Sequence, residues 1–287
     1  MRVGTVHQVW RYPVKSMGGE RLPAARLSWR GIPGDRGWAL YDEARAGITN
    51  GKRLPPVREV SARYLQEPVA GEASPLAELR LPDGTTVRSG SPEAALRLSE
   101  LAGRSVAMRA LGSAGTETDP RLTTAAETPE IQRALGGLLP GEPEPDFSMF
   151  TPERLLQLRQ GNFFDAFSLH LLTRESLKTL KQLAPESDWD TRRFRANLLI
   201  DSDVLDGYPE LAWVGRKLRV GTAIIHIVMG CPRCVMVTHK EHDLPQDHRL
   251  MRTLVRETNH IAGVYASVVE EGDVREGDTI ELLGDPA

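Results

Sequence analysis

Cysteine is nearly absent: the 287 residues hold two, Cys231 and Cys234. Two thiols are too few to staple a secreted scaffold, and too few for an iron–sulfur cluster of the usual four-cysteine kind. Long apolar runs are missing as well. No stretch approaches the roughly 18 apolar residues of a membrane-spanning helix. The chain instead enters strand-like sequence at once (Val3, Val6, Val9, Trp10), with no apolar signal region. Charge of one sign does not dominate: 36 basic and 39 acidic residues leave a net charge of −3. That gives no overall pull toward nucleic acid or an anionic membrane. Repeats, low-complexity tracts and the glycine fingerprints of flavin or nicotinamide binding are absent too. These absences leave a cytoplasmic globular protein as the expectation, with neither nucleic acid nor membrane as partner. The length suffices for a substantial core, in one large or two ordinary domains.

What is present divides into three stretches. Residues 1–110 carry short apolar runs broken by turns, among them Ala24–Trp29 and Trp38–Tyr41. The runs Ala77–Leu81 and Thr85–Arg88 flank Pro82-Asp83-Gly84 and predict a hairpin. Ser91 followed by Pro92 predicts a capped helix to about Leu101. Residues 111–162 lack pattern and are rich in glycine, proline and glutamate, which predicts a long connection that partly covers a site. Periodicity returns over 163–287. Leu169–Leu183 has helical spacing, Phe194–Ile200 alternates as a strand, and Trp213–Leu218, Ala223–Met229, Val264–Val269 and Thr279–Leu283 read as further strands. Leu250–Thr258 reads as a helix. Many short strands, few helices and no βαβ alternation predict a mainly β, α+β fold of barrel-like architecture with peripheral helices.

Several segments carry candidate chemistry. Alternation over Arg193–Ile200 puts Phe194, Ala196, Leu198 and Ile200 on one face and Arg193, Arg195 and Asn197 on the other. That second face fits either solvent or fixed donors for a phosphate or polar heterocycle. Tyr12-Pro13-Val14-Lys15-Ser16 offers a lysine and a hydroxyl after a strand break, and Gly34-Asp35-Arg36-Gly37-Trp38 an arginine beside a carboxylate. Each fits a surface turn or an anion contact. His226 alternates with apolar neighbours and is placed facing the site, whereas His170 reads as a satisfied core or surface histidine. Trp10, Trp29 and Trp38 read as packing residues.

Both cysteines fall in Met229-Gly230-Cys231-Pro232-Arg233-Cys234-Val235-Met236-Val237-Thr238. Zinc could be sought from Cys231, Cys234, His239 and His242, but a gap of four residues is far below the roughly 12–15 of a finger. A thioredoxin-like pair needs the start of a helix, and a β-branched run follows Cys234 instead. A disulfide, a zinc site and a single thiolate on another metal are the uses the residues themselves leave open, with Cys231 either a core residue or a thiol behind Cys234.

Taken together, Tyr12-Pro13-Val14-Lys15-Ser16, Gly34-Asp35-Arg36-Gly37-Trp38, His170-Leu171-Leu172-Thr173, Phe194-Arg195-Ala196-Asn197 and Cys231-Pro232-Arg233-Cys234 resemble, in order, the motifs of MOSC domain proteins that carry an N-terminal MOSC β-barrel domain. The resemblance runs on to Gly263-Val264-Tyr265 and Val274–Asp278, and is nearest to the mitochondrial amidoxime-reducing components and their stand-alone relatives. The chain departs from the family at Ala196 and Ser168, where proline is common, and in Thr238-His239-Lys240-Glu241.

The resemblance implies a molybdenum cofactor, molybdenum on molybdopterin, with Cys234 as metal ligand and catalytic residue. It implies cofactor contacts from Lys15, Ser16, Arg36, Arg195, Asn197 and Arg233, and backbone contacts from Ala166, Phe167 and Ser168. The implied reaction is reduction of N-oxygenated substrates (hydroxylamines, amidoximes, N-oxides) by oxygen-atom transfer. Arg233 would then keep Cys234 deprotonated. Electrons would come from a separate protein, a ferredoxin, a cytochrome or a flavin reductase, because the chain has no second redox centre. A non-catalytic cofactor carrier or sulfur-transfer protein is the alternative that the same family offers.

Overall fold

The computed structural model describes residues 1–112, 133, 137–142, 163–164 and 166–284. Most of the connection expected over 111–162 lies outside the described residues.

A closed barrel of seven strands organises the fold. In chain order its strands are β1 (Arg2–Arg11), β10 (Leu169–Thr173), β11 (Leu198–Ser202), β12 (Lys217–Val220), β13 (Ala223–Pro232), β14 (Ile261–Glu270) and β16 (Thr279–Leu282). Around the barrel the order is β11, β10, β14, β13, β12, β16, β1, and β1 closes the circle on β11. The closure is antiparallel, with Thr5 opposite Asp201 and Val9 opposite Leu198. Closure leaves no open sheet edge. The interior is filled by residues two apart on each strand, such as Leu169 and Leu171, Leu198 and Ile200, Ile225 and Ile227, Val264 and Ala266.

The N-terminal strand therefore sits among strands from the other end of the chain. Beside it, β2 (Glu20–Leu22) extends the sheet from β1, and β3 (Ala24–Leu27) pairs with β15 (Gly272–Arg275). The rest of the first stretch builds two small antiparallel sheets. One holds β4 (Trp38–Asp42), β5 (Gly47–Ile48) and β9 (Val106–Ala110); the other holds β6 (Ser61–Tyr64), β7 (Ala77–Arg80) and β8 (Thr86–Arg88). They enclose a second core with Val14, Trp38, Leu40, Leu79 and Leu98. The predicted hairpin is β7–β8, turned at Gly84 with φ of 85°. The predicted helix is α1 (Pro92–Ala102), where Ser91 accepts from the Ala94 amide at 3.0 Å.

Two further helices, α2 (Arg174–Leu183) and α3 (Arg249–Thr258), cover the outer wall of the barrel. A third core forms there from Leu172, Leu199, Leu180, Phe194, Leu250 and Leu254. Strands β10 and β11 are thus buried on both faces, and this overturns one expectation. Leu169–Leu183 is not one helix: a strand buried on both sides reads as an unbroken apolar run. The helix starts only after Thr173, whose extended backbone and hydroxyl cap it by accepting from the Ser176 amide. A second correction concerns Phe194–Ile200. The strand begins at Leu198; before it, Thr191–Arg193 is a 3-10 turn and Arg195 is left-handed, with φ of 57°. A third concerns Trp213–Leu218, where Pro209–Trp213 is a 3-10 turn and the strand starts at Lys217. No helix among the described residues is long and apolar enough to cross a membrane.

Candidate functional site

Five segments converge on one pocket. They are the bend after β1 (Lys15, Ser16), the turn before β4 (Arg36), the run ahead of β10 (Phe163, Phe164, Ala166, Phe167) with His170, the turn 193–197, and the end of β13 with Arg233 and Cys234. Met236 and Tyr265 complete the wall. Every residue that the resemblance implies at the site lines this pocket except Ser168, whose carbonyl lies instead against Gly31. His226, placed facing the site by alternation, is absent from the lining; it sits on β13 opposite Lys217 and Ser267.

Three of these residues, Ser16, Arg36 and Arg195, have left-handed backbones with φ of 71°, 51° and 57°. Such conformations cost non-glycine residues about 1–3 kcal/mol and persist only where the surroundings fix them. Arg36 and Arg195 are fixed by hydrogen bonds. The Arg36 amide donates to the Tyr12 carbonyl at 2.7 Å, and Arg36 Nη2 donates to the Arg195 carbonyl at 3.2 Å. Arg195 Nη1 donates to the Met17 carbonyl. Both guanidinium groups lie against the Tyr12 ring, at 4.6 Å for Arg36 and 4.2 Å for Arg195.

Asp35 ties the segments together. Its buried carboxylate accepts from the Tyr12 amide at 2.7 Å, from Asn197 Nδ2 at 2.8 Å, and from Arg36. Asn197 also donates to the Trp10 carbonyl at 3.2 Å and accepts from the His170 amide at 3.1 Å. Its amide is therefore spent on holding the wall. Asn197 shapes the pocket without offering a spare donor.

The charge on this wall is positive. Lys15, Arg36, Arg193, Arg195 and Arg233 all reach the lining. Lys15 Nζ donates to the Phe163 carbonyl at 2.8 Å. Arg193 is spent on carbonyls of the loop beyond Cys234, at 3.1 Å to His239 and 2.7 Å to Pro245. Burial, followed by the like charge of Arg36, pushes Arg195 down to about 9. Its Nη2 is buried with no hydrogen-bond partner among the described residues. A buried, unpartnered guanidinium nitrogen in a cationic wall suits an anion. Burial, followed by Arg233, also holds His170 well below the usual imidazole range, and its Nε2 lies 3.2 Å from the Ala262 carbonyl.

At the other end, Cys234 has a free thiol in a half-buried position, just before the 3-10 turn Val235–Thr238. The hydrogen bonds of Arg233 go elsewhere, its Nη1 donating to Cys231 Sγ at 2.9 Å and its Nη2 to the Phe194 carbonyl at 2.8 Å, while its charge still interacts with Cys234. Cys231 is fully buried, and burial pushes its thiol up. No three of the His, Cys, Asp or Glu side chains gather as a metal-holding group among the described residues. A metal at this pocket would therefore take one protein sulfur and bring its remaining ligands with it.

Sequence reasoning gave no site role to Phe163, Phe164, Met236 or Tyr265. The two phenylalanines lie beside the unpatterned stretch, and Tyr265 is one of many alternating residues on β14. Phe164 packs under Arg36, 5.1 Å from ring to guanidinium, and Tyr265 tilts against Phe167 at 5.5 Å.

Comparison with known proteins agrees along most of the chain. The model of the MOSC domain matches residues 159–281, and that of the MOSC N-terminal beta barrel domain residues 3–98. Mitochondrial amidoxime reducing component 2 of Homo sapiens is 25% identical over 300 residues, covering 97% of this chain and 83% of its own. Mitochondrial amidoxime-reducing component 1 of Homo sapiens is 22% identical over 308 residues, covering 99% and 84%. Among solved structures, the YUAD protein of Bacillus subtilis is similar with a TM-score of 0.44 at 12% identity, over 98% of this chain and 95% of that one.

Proposed function

The chain belongs to the MOSC domain proteins, and from that premise we propose that it binds the molybdenum cofactor in this pocket and reduces N-oxygenated substrates such as hydroxylamines, amidoximes or N-oxides. One observation carries the reading: a single free cysteine, Cys234, and an unpartnered buried arginine nitrogen, Arg195 Nη2, line the same pocket. A soft thiolate suits molybdenum already held by a dithiolene. A cationic wall suits the hard phosphate at the far end of a pterin. The residues present fit such a group.

In this reading Cys234 holds the metal, and Lys15, Ser16, Arg36 and Arg195 hold the anionic end. Ala166 and Phe167 contribute the wall between them, and Asn197 and Asp35 fix its position. When bound, the cofactor supplies the two-electron chemistry that takes oxygen from nitrogen, with water as product. The chain orients the group and limits the approach of solvent through Phe163, Phe164 and Phe167. His170 stays neutral and acts as wall. The electrons come from a separate donor protein, a ferredoxin, a cytochrome or a flavin reductase. Two free thiols suit a reducing compartment, here the cytoplasm.

The test is molybdenum and released pterin per chain, on protein made in a host that synthesises the cofactor, with Cys234→Ser alongside. Near-stoichiometric metal that falls in the variant, with turnover of a hydroxylamine by a chemically reduced sample, is the expected result. Retention of cofactor with no turnover on a broad panel would leave a carrier. Absence of both metal and pterin would sink the reading altogether.

A further inference from the structure

The geometry points to Cys231 as a positioning residue: its sulfur holds the Arg233 fork so that Arg233 fixes the Phe194–Arg195 turn in register with Cys234. The ordinary explanation for a fully buried cysteine is that it fills a core. Cys231 belongs to none of the apolar clusters among the described residues. Its surroundings are polar. Arg233 Nη1 donates to Sγ at 2.9 Å, the Tyr265 hydroxyl lies beside it, and its own S–H points toward the Pro232 carbonyl at 3.9 Å.

The other prong of the fork does the positioning. Arg233 Nη2 donates to the Phe194 carbonyl at 2.8 Å, and the guanidinium lies 5.5 Å from the Phe194 ring. That ring is itself stacked on Trp189 at 6.2 Å. The next carbonyl, that of Arg195, accepts from Arg36 Nη2. Successive carbonyls of the turn at 194–195 are thus held from two different segments, one by each arginine. A guanidinium is a rigid planar donor, so fixing one nitrogen fixes where the others point. Arg233 also immediately precedes Cys234, and its amide donates to the His260 carbonyl at 2.8 Å. One residue therefore links the thiol end of the pocket to the anion end, and Cys231 keeps that residue in place. The consequence for cofactor loading rests on the reading of the pocket given above; the contact itself does not.

Cys231→Ser, Cys231→Val and Cys231→Ala separate the two roles. A hydrogen-bond acceptor is rescued by serine, whereas a core filler is rescued by valine. In cofactor-free protein, amide hydrogen exchange at Arg195 and Asn197 is the readout that simple packing would not move. Valine and alanine are expected to speed exchange there about tenfold with the barrel strands unchanged, and serine to stay within about twofold of the parent. Arg233→Gln should reproduce the alanine effect, and the double variant should add nothing to it. Protection restored by valine and lost with serine would overturn the inference, as would equal protection in all variants. Should the alanine variant fail to fold, the serine, valine and Arg233→Gln comparison decides alone. Molybdenum per chain is then measured on the same set. The exchange pattern as expected with no metal in any protein would leave the positioning contact standing and remove the cofactor reading.

Discussion

Asp35 and Asn197 meet across 162 residues of sequence, with Asn197 Nδ2 donating to Asp35 Oδ2 at 2.8 Å. The contact matters because both oxygens of Asp35 are engaged. One oxygen takes the Tyr12 amide and the other takes both Asn197 and Arg36. In Asp35→Asn, either orientation of the new amide turns an N–H toward a donor. The Arg36 guanidinium, 12% exposed, is also left without its counter-charge. Breaking a buried ion pair from one side costs about 3 kcal/mol. The denaturant midpoint should fall accordingly with an unchanged slope. An unchanged midpoint would mean that Asp35 does not organise the pocket.

Tyr12 separates two like charges, and its hydroxyl and ring are separable. Tyr12→Phe loses the bond to the Ala196 carbonyl at 3.3 Å and should cost about 1 kcal/mol with pterin retention unchanged. Tyr12→Leu also loses the ring beneath Arg36 and Arg195. Each desolvated cation–π contact is worth about 1–2 kcal/mol. Pterin retained through gel filtration should drop about tenfold in the leucine variant alone. Equal retention in both variants would show that the arginines hold their places without the ring.

Much of this pocket was legible in the sequence because its residues sit in local motifs. Lys15, Ser16, Arg36 and Cys234 each follow or accompany a proline, glycine or second cysteine that marks a turn. The hairpin around Pro82-Asp83-Gly84 and the cap at Ser91 were legible for the same reason, since turn and cap chemistry is local. The turn at 194–197 was not. Phe194, Ala196, Leu198 and Ile200 alternate like a strand, and contacts to distant groups such as Met17, Trp10 and Asp35, which the local pattern does not reveal, hold the turn there. The closure of the barrel by β1 on β11 was likewise hidden, because nothing in either strand names a partner about two thirds of the chain away. The orientation of Arg233 was hidden at shorter range. Adjacency names Cys234, whose charge interaction with Arg233 remains, but nothing local shows that the hydrogen bond goes to Cys231.

Gly263 is a position where a side chain cannot fit. Its φ is 79°, and a Cβ there would come within 2.3 Å of His170 Nε2 and 2.4 Å of the Leu171 carbonyl. Leu171 is paired with Val264 in the barrel, so its backbone cannot retreat. Backbone strain and overpacking together make Gly263→Ala cost about 3 kcal/mol. At a chain of this size that lowers Tm by about 6–12 °C. The displaced His170 should also weaken pterin retention, because the His170 amide anchors Asn197. A variant with parental Tm would contradict the close approach.

His239 gives the fold a defined acid sensitivity. Burial, then the charges of Arg58 and His248, push its imidazole down to about 4. Its Nε2 is buried with no hydrogen-bond partner among the described residues. An unfolded histidine takes its proton near pH 6.5. Between about pH 6.5 and 4 the unfolded chain therefore binds a proton that the folded chain refuses. Stability rises with pH wherever the unfolded state binds more protons, so it must fall as pH drops through this window. The full shift is equivalent to about 3 kcal/mol. Partial exposure of the ring reduces the expected loss to about 1–2 kcal/mol. His170, held below its usual range as well, contributes with the same sign. Urea midpoints from pH 7 to 4.5 should decline in the parent and decline less in His239→Gln. If the glutamine variant follows the parent curve at every pH, the imidazole is not held neutral by the fold, and the loop beyond Cys234 is more open to water than its buried ring implies.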